Sequence, residues 1–525
     1  MSMKFALKII IAFVVHCSFA QNTITVEVID TETNDPVAFP TVKFVGTSRG
    51  VVADYNGQFR LPMDKLKSIT SIEISSMGFQ PLVIAISSLS TKKMNTLRML
   101  PSEETLDQVI VNASKKKLSA FKIVQKAVYS IQSNLALTPH SYIGYYRDYQ
   151  ICNDGEYYNL NEAIVEEFDN GILSNKLVDN KNKSALYKFN TNLNYKTDSL
   201  LAVSYDDTSK NIKNAKIISY GGNELSILNA HNPIRLFNQK SFSYVYKLKD
   251  EFLSNHDFKK SKKIKSNGET LVSITFTNKQ DKTSISHLVK GEVNISLSDF
   301  AIHSFKYTVY DVDTSHILLN VDIEYRRSKH KMHLNYISVN NLFHGVLDNE
   351  VFREQEITYT PETKRFSIQF NKKINLRTLK LKNFSVLYDN KEIPLTNLSI
   401  IDDQNIVLEV AKNADIINPE VKQLFKKEAA NNTFNIKKIK SEKIKVFIKK
   451  VKDIDNRRIY ERNEKPVYQF REFFVQEVFE NKHLSPNINY VDKLKHLSKS
   501  KLNTFENVDD YIINSPLMNR KLPSK

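Results

Sequence analysis

Short segments in which polar and apolar residues alternate recur along most of this chain. Residues 23–29 alternate polar and apolar side chains, and the same period of two returns in residues 141–149 and 302–310. Successive side chains of a β-strand point to opposite faces, so this period is typical of strands with one buried face. The chain is therefore predicted to be mainly β. Further alternating segments are residues 271–277, 292–297 and 319–325.

The front of the chain, residues 21–112, is predicted to form several short strands joined by turns. Strand-like stretches at 41–45 and 69–75 flank turn-forming residues such as Asn56 and Gly57. Asn side chains bond to their own backbone, and Gly tolerates positive φ, so both residues favour turns. Strands at this spacing predict a small antiparallel β-sandwich.

Residues 28–61 of this sandwich carry an ordered motif. The elements P-V, G-T, G-V and D-x-x-G-x-F-x-L follow one another in that order. The motif is similar to the carboxypeptidase regulatory-like domain of envelope proteins of the Bacteroidetes type. Residues 76–79 (SMGF) resemble the family's small-x-Gly-aromatic strand entry. Residues 106–111 (LDQVIV) resemble the exit that leads toward a plug and barrel in outer-membrane receptors.

This resemblance implies a seven-stranded, transthyretin-like sandwich that has no active site of its own and, despite its name, no peptidase activity. It implies structural roles for the motif residues. We expect Asp54 to cap a turn, Gly57 to take positive φ and Phe59 to fill the core. Gly78 and Phe79 belong to the same structural motif. A ligand role for these residues is the less favoured alternative.

The middle of the chain is predicted to be a helix followed by a large sheet. Residues 113–135 are interpreted as a polar linker (ASKKK) and one amphipathic helix, because apolar residues recur there at spacings of three and four,. Residues 136–345 are predicted to form one large antiparallel β-domain. Residues 144–147 (GYYR) and 291–295 (GEVNI) resemble Bacteroidetes-type proteins in which a regulatory-like domain precedes a β-rich domain. That resemblance implies location and architecture only.

Residues 346–412 are predicted to contain an Ig-like module. Within them, residues 366–410 are similar to bacterial Ig-like modules, which implies a spacer or adhesion unit.

Residues 413–525 are interpreted as a mixed, basic C-terminal region. A helix is expected at 415–430, and residues 468–479 favour either a strand or a helix. Residues 436–452 alternate Lys with apolar side chains. This pattern favours a solvated edge strand, where Lys discourages edge pairing, over a binding patch.

The N-terminus is predicted to be a signal peptide over residues 1–20. Lys4 and Lys8 precede the apolar run at 9–15, and Ser18-Phe19-Ala20 fits a small-x-small cleavage site,. The run is too short to span ~30 Å of hydrocarbon, which disfavours a membrane anchor. The protein is therefore expected to be exported to the periplasm, the outer membrane or the cell surface.

The chain has two cysteines, Cys17 and Cys152. A lipoprotein is a minority alternative, because the bulky His16 before Cys17 does not suit a lipidation signal. Cleavage after Ala20 would leave Cys152 as a lone thiol, and we expect it to be buried.

Three motifs partly match catalytic or metal-binding sites. Residues 46–50 (GTSRG) match G-x-S-x-G, but a nucleophile elbow needs a strand-to-helix turn and both flanks are predicted strands. His330 and His333 fall on opposite faces of a predicted strand. Residues 311–315 (DVDTS) lack the Gly and Glu that a calcium loop requires later in its sequence, so they predict a turn. No catalytic residue, cofactor or metal ion is predicted.

The formal net charge of +17 bears on the choice of partner. Export and the lack of a recognition fold argue against nucleic acid. An envelope protein or glycan is the expected partner, with peripheral contact to an anionic membrane surface as a further option. The absence of Trp removes the strongest platform for stacking on sugars,. Plain solubility explains the charge equally well.

Three functions remain open at this point. The favoured one is a non-enzymatic cell-envelope protein whose β-domains bind a surface polymer or a partner protein. The first alternative is an outer-membrane component associated with a receptor or barrel. The second is a hydrolase whose site is not visible as a motif, for which Glu162, Glu166 or Glu472 near a basic residue in a cleft would be the candidates.

Overall fold

The computed structural model confirms the predicted fold class. The protein is mainly β, with large antiparallel sheets, few helices and a β-sandwich-like N-terminal domain. The predicted signal peptide, the linker at 113–117 and the predicted helix at 415–430 lie outside the described residues. Described are residues 23–104, 118–152, 155–202, 210, 212, 223–242, 244–266, 268–280, 287–360, 362–388, 390–411, 434–435 and 444–517.

The chain divides into two compact units. The first comprises residues 1–344 and 466–525, and the second comprises residues 345–465. The predicted domain boundary at 412–413 lies within the second unit, because strands on both sides of it pair with one another.

The N-terminal sandwich, at the front of the first unit, contains two sheets of three and four strands. Their orders are β4-β1-β7 and β3-β2-β5-β6. Alternate residues of β1, including Val26 and Val28, are buried between the sheets with Phe59. The strands are β1 (Thr23–Asp30), β2 (Thr41–Phe44), β3 (Gly50–Val52), β4 (Gln58–Pro62), β5 (Ser71–Ser75), β6 (Leu82–Ala85) and β7 (Asn95–Met99).

The rest of the first unit is built on a sheet of eleven strands. In chain order its first ten strands are β8 (Glu103–Glu104), β9 (His140–Ile151), β10 (Tyr157–Asp169), β11 (Lys183–Thr191), β12 (His256–Ser266), β13 (Glu269–Asn278), β14 (His287–Ser296), β15 (Ile302–Asp311), β16 (Ile317–Ser328) and β17 (Lys331–Gly345). The eleventh strand is β26 (Lys465–Glu480), which follows the second unit in the chain. Their order across the sheet is β11-β10-β9-β26-β17-β16-β15-β14-β13-β12-β8. The segment predicted as a strand or a helix at 468–479 is thus a strand near the middle of this sheet.

One face of the large sheet is covered by helical segments. The predicted helix is present as α1 (Ala120–Asn134), capped by Ser119, whose hydroxyl accepts a hydrogen bond from the Lys122 N–H at 3.2 Å. Its apolar face packs on the sheet, as expected from the spacing of its apolar residues,. Two shorter helices, α2 (Glu224–Ala230) and α3 (Leu253–Asn255), lie in the segment that follows β11.

The other face of the sheet is covered by the sandwich and by residues 481–517, here called the C-terminal segment. Phe39 of the sandwich stacks on Tyr336 of β17 with ring centroids 4.1 Å apart. Ile512 of the C-terminal segment is buried in the core of the sandwich. Because both faces are covered, every residue of β9 and β10 is buried.

The second unit contains a five-stranded and a three-stranded sheet around one core. Their orders are β22-β23-β19-β18-β24 and β21-β20-β25. Part of the Lys-rich stretch forms β25, at the edge of the smaller sheet, with Lys445 exposed. The strands are β18 (Glu354–Thr360), β19 (Arg365–Phe370), β20 (Phe384–Tyr388), β21 (Lys391–Ile393), β22 (Leu395–Ile400), β23 (Asn405–Val410), β24 (Phe434–Asn435) and β25 (Ile444–Ile448).

Candidate functional site: a polar groove between the sandwich and the large sheet

The motif residues of the sandwich form a tight turn and its support. The Asp54 carboxylate accepts hydrogen bonds from the backbone N–H groups of Asn56 and Gln58, both at 2.9 Å. Gly57 has a φ of +70°, and a Cβ at this position would lie 2.4 Å from the carbonyl oxygen of Val28. A side chain would therefore be strained here, both by the positive φ and by the close carbonyl oxygen.

The remaining motif residues also make contacts internal to the sandwich. Phe59 is fully buried in the core, and Phe79 packs against that core while partly buried. Gly78 has a φ of +82° in the turn before Phe79. The geometry of the motif is that of a turn and a core, and a ligand role for these residues stays untested.

The three motifs that partly match catalytic or metal-binding sites lie in strands and turns. Ser48 lies in the turn between the antiparallel strands β2 and β3, and its hydroxyl donates a hydrogen bond of 2.5 Å to Glu477. His333 is buried in β17, whereas His330 lies in the turn before that strand. The Asp311 carboxylate accepts hydrogen bonds from the backbone of the β15–β16 turn. In the parts of the chain that the structure describes, no group of three or more His, Cys, Asp or Glu side chains could hold a metal ion.

Glu162 and Glu472, two of the acids named as hydrolase candidates, flank one arginine. The strand register places Glu162 of β10 opposite Arg147 of β9, and Arg147 opposite Glu472 of β26. Neighbouring strands are ~4.8 Å apart, so the backbones of the two acids are separated by about 10 Å. Arg147 and Glu472 are each 0% exposed, and the Arg147 Nε lies 2.6 Å from the Glu472 carboxylate.

The oxygens of these two carboxylates are occupied by hydrogen-bond donors. Glu472 also accepts hydrogen bonds from the hydroxyls of Tyr149 at 3.0 Å and Tyr336 at 3.3 Å. Glu162 accepts hydrogen bonds from Tyr145 at 2.5 Å and from Asn192 at 2.7 Å. Burial, and then the negative charge of Glu162, raise the pKa of Tyr145 well above its usual range. The cluster is therefore a buried network of one ion pair, between Arg147 and Glu472, and several hydrogen bonds to the two carboxylates,.

The C-terminal segment closes this charge network. The Ser515 hydroxyl donates to Glu162 at 2.7 Å, and the backbone carbonyl of Asn514 accepts a hydrogen bond from Arg147 at 3.3 Å. On its other side the same segment bonds to the sandwich, where the Arg60 N–H donates to the Asn514 side chain at 3.1 Å. The segment thus joins the sandwich to the sheet.

Glu166, the third acid, is engaged in a similar way. Its carboxylate accepts hydrogen bonds of 2.5 Å from the hydroxyls of Ser141 and Tyr187. The Lys482 ammonium of the C-terminal segment lies 2.6 Å away. None of the three acids lines the groove described next.

An open groove of about 770 Å³ lies elsewhere between the sandwich and the sheet. One wall is formed by β2, β5 and nearby turns of the sandwich, and the other by the ends of β12, β16 and neighbouring strands of the large sheet. The Asn335 side chain donates a hydrogen bond of 2.7 Å to Thr41 and so ties the two walls together. Hydroxyl groups line both walls, from Thr41, Thr47, Ser75 and Ser76 on the sandwich and from Ser266 and Ser328 on the sheet.

One corner of the groove holds a paired charge cluster. Arg327 donates to the two oxygens of Glu269 at 2.6 and 3.1 Å, and to Asp299 at 2.8 Å. The His303 Nε2 lies 3.4 Å from Glu269. Burial alone would raise the pKa of Glu269, but the hydrogen bonds from Arg327 and the nearby His303 lower it. Glu269 is therefore ionised, and its negative charge is balanced by Arg327.

Two other ionisable groups of the groove lie on β16. Glu324 is half-buried, and burial, followed by the negative charge of Asp322, raises its pKa to about 8. Arg326 is also half-buried, and burial lowers its pKa from the usual value. Its guanidinium makes no ion pair with any residue that the structure describes. The groove therefore combines a protonated acid with an unpaired cation.

The groove was not predicted from the sequence. Its charged residues come from β2 and β5 of the sandwich and from the β12–β13 hairpin, β15, β16 and the turn after β16, which are separated along the chain. From its neighbouring sequence alone, each of these residues would be interpreted as a polar residue at the exposed end of a hairpin. Only the pairing of these strands with one another, and the position of the sandwich, bring the residues together.

Comparison with protein families bears on the sandwich alone. Residues 24–111 match the family described as the CarboxypepD_reg-like domain. This confirms the resemblance inferred from the motif at residues 28–61, whereas the Bacteroidetes type stays a prediction. No curated protein is significantly similar to the chain in sequence.

Solved structures show only distant similarity. A LolA superfamily protein from Nitrosomonas europaea has 8% sequence identity and a TM-score of 0.19, and the match covers 43% of this chain and 86% of that one. The MucA/MucB complex of Pseudomonas aeruginosa has 9% identity and a TM-score of 0.15, and the match covers 56% of this chain and 94% of that chain. No helix within the described ranges is long and apolar enough to cross a membrane.

Proposed function

We propose that this chain is an exported, non-enzymatic protein of the cell envelope, and that the groove between its sandwich and its large sheet holds a segment of a partner protein. The envelope location is supported by the signal-peptide pattern at residues 1–20 and by the CarboxypepD_reg-like domain. The groove is the observation that carries the binding role.

The groove has the properties of a preorganised binding site. Its volume of about 770 Å³ falls within the range of ~300–1,000 Å³ that is common for ligand pockets,. Both walls are sheets, and the stacking of Phe39 on Tyr336 and the C-terminal segment hold them in place. Little conformational entropy would then be lost when a partner binds.

The lining of the groove favours a protein segment over a sugar polymer. Side-chain hydroxyls and amides complement the N–H and C=O groups of an extended backbone. Sugars bind best on exposed aromatic faces. Tyr325 is the only aromatic residue among the described lining residues, and it is 6% exposed.

A hydrolase is the second candidate, favoured by one observation. Glu269 and Glu324 both line the groove, and their pKa values are displaced in opposite directions. An acid and a base with separated pKa values are the pair that hydrolysis requires. Turnover of a chromogenic ester or glycoside that is lost in both Glu269→Gln and Glu324→Gln would establish it.

The binding role is tested by filling the groove. Ser75→Trp places an indole in the groove, whereas Ser71→Trp places the same side chain on the same strand away from the lining. We expect Ser75→Trp to lose a protein that co-purifies with the full chain from the native envelope, while Ser71→Trp retains it. Equal recovery with both variants, or recovery of the chain alone, would contradict the proposal.

A further inference from the structure

Two adjacent arginines of β16 differ in their counterions. Arg327 is held by two carboxylates, Glu269 and Asp299, with three N–O distances of 3.1 Å or less. The guanidinium of Arg326 lines the same groove and has no ion pair with a described residue. A half-buried guanidinium without a partner has lost part of its hydration and gained no compensating hydrogen bond.

Among the described neighbours of Arg326, no other charge balances it. Glu324, with a pKa of about 8, is mainly protonated at neutral pH because it is buried. His333 lies opposite Arg326 in register, and burial together with His140 lowers its pKa to about 4, so it is neutral. The Lys329 ammonium lies 2.7 Å from Glu480.

The other wall of the groove is close to neutral as well. Lys43 and Glu73 lie opposite each other in the register of β2 and β5. The groove therefore presents polar, nearly neutral walls and one unopposed positive charge.

We infer that Arg326 is the anion-binding position of the groove and that the groove takes an acidic protein segment whose carboxylate pairs with this guanidinium. The inference rests on the proposed function and adds the charge of the partner. A guanidinium donates two parallel hydrogen bonds to the two oxygens of a carboxylate, and such pairs are among the strongest in proteins.

A carboxylate fits this position better than a phosphate. A phosphate group carries nearly two negative charges, and its sites commonly combine several cationic groups or backbone N–H donors. Here the single unpaired charge of Arg326 matches the single charge of an Asp or Glu side chain. The hydroxyls around it, including Ser328, can serve the backbone of the same segment.

The test uses the full chain and two labelled decapeptides, one alternating Glu with Thr and one alternating Gln with Thr. A hydrogen bond to a charged group contributes ~1.5–3 kcal/mol, or roughly 10- to 100-fold in affinity. We expect the Glu peptide to bind the wild type and to bind Arg326→Gln at least tenfold more weakly. The Gln peptide should bind the wild type as weakly as the Glu peptide binds the variant.

Two controls separate charge at this position from charge elsewhere. Arg365→Gln removes one positive charge from β19 of the second unit and should leave affinity for the Glu peptide unchanged. Arg326→Gln should not lower Tm, because it removes an unpaired, half-buried charge. A fall in Tm comparable to the loss of a buried ion pair would indicate a structural role and overturn the inference.

The remaining outcomes distinguish the inference from the proposed function. Three results would overturn the inference that the groove binds an acidic protein segment. They are no binding of the Glu peptide, equal affinity of that peptide for the wild type and Arg326→Gln, and tighter binding of inorganic phosphate or of an oligogalacturonate. If Ser75→Trp abolishes co-purification of the partner and Arg326→Gln does not, the groove function stands and the inference fails. If neither variant affects co-purification, both fail.

Discussion

The sandwich and the large sheet meet in two regions that are built in opposite ways. Under the C-terminal segment, Arg147 and Glu472 are fully buried and paired, and the segment seals them from solvent. In the groove, the walls are joined through Asn335 and Thr41 and stay open, and Arg326 has no counterion among the residues that the structure describes. The same two domains thus meet in a closed region with a buried ion pair and in an open groove with an unpaired cation.

This contrast indicates that the closed region contributes to stability and the open groove to binding. Buried charges stabilise a fold only when each has its partner, and removing one partner is costly. Unpaired groups at an open surface instead lower stability and are available to a ligand. Substitutions in the two regions should therefore act differently, on stability in the first and on binding in the second.

The largest effect is expected from Arg147→Ala. It leaves the Glu472 carboxylate buried without its counterion, which costs about 3–5 kcal/mol in the free energy of unfolding. Arg365, paired with Glu409 at the exposed surface, provides the control, because Arg365→Ala should cost about 0–1 kcal/mol,. Chemical denaturation of both variants measures the difference. Similar losses would show that the buried pair is no more important than a surface pair.

A smaller loss is expected when the C-terminal segment is detached from the sandwich core. Ile512 is 1% exposed in that core, so Ile512→Ala should destabilise the first unit by about 2–4 kcal/mol,. Leu502 of the same segment is 55% exposed, and Leu502→Ala should have little effect. Thermal unfolding of the two variants tests this. An unchanged Tm for Ile512→Ala would mean that the segment does not hold the domains together.

The smallest effect concerns the groove and depends on pH. The pKa of Glu324 is raised to about 8, so its protonated form stabilises the fold at low pH, and this contribution is lost as pH rises from about 4.3 through about 8,. Relative to Glu324→Gln, the wild type should lose about 1–2 kcal/mol over that window, after allowance for solvent that reaches the side chain.

Tm measured at pH 5, 7 and 9 checks this titration, with exposed Glu32→Gln as the control. The neighbouring groups Asp322 and Lys306 are present in both the wild type and the Glu324→Gln variant, so they cancel in the comparison. A difference in Tm that does not change with pH would contradict the raised pKa.

The parts of the fold that depend on local pattern were predictable. The period of two in β1, β9 and β15, and the three- and four-residue spacing in α1, identify these elements because side-chain direction follows backbone geometry,. The turn at Asp54 and Gly57 was also visible, since only certain residues suit its backbone.

The parts that depend on which strands are neighbours were not predictable. Alternation does not reveal that β26 lies beside β9, so Glu472 could be named as a candidate acid, but its pairing with Arg147 could not be predicted. The groove is a still longer-range feature, because Glu269, His303 and Arg326 come from different strands and the sandwich supplies the facing wall. The period of polar and apolar residues within one strand does not indicate which distant strands it contacts.

The central claim is that the open region, and not the sealed one, holds a partner protein. Site-specific photo-crosslinking in the native envelope tests it directly, with a benzoylphenylalanine at Lys43 in the groove and at Thr96, an exposed residue on the other sheet of the sandwich. The account predicts a discrete protein adduct from position 43 and none from position 96. The same adducts from both positions, or none from position 43, would contradict it.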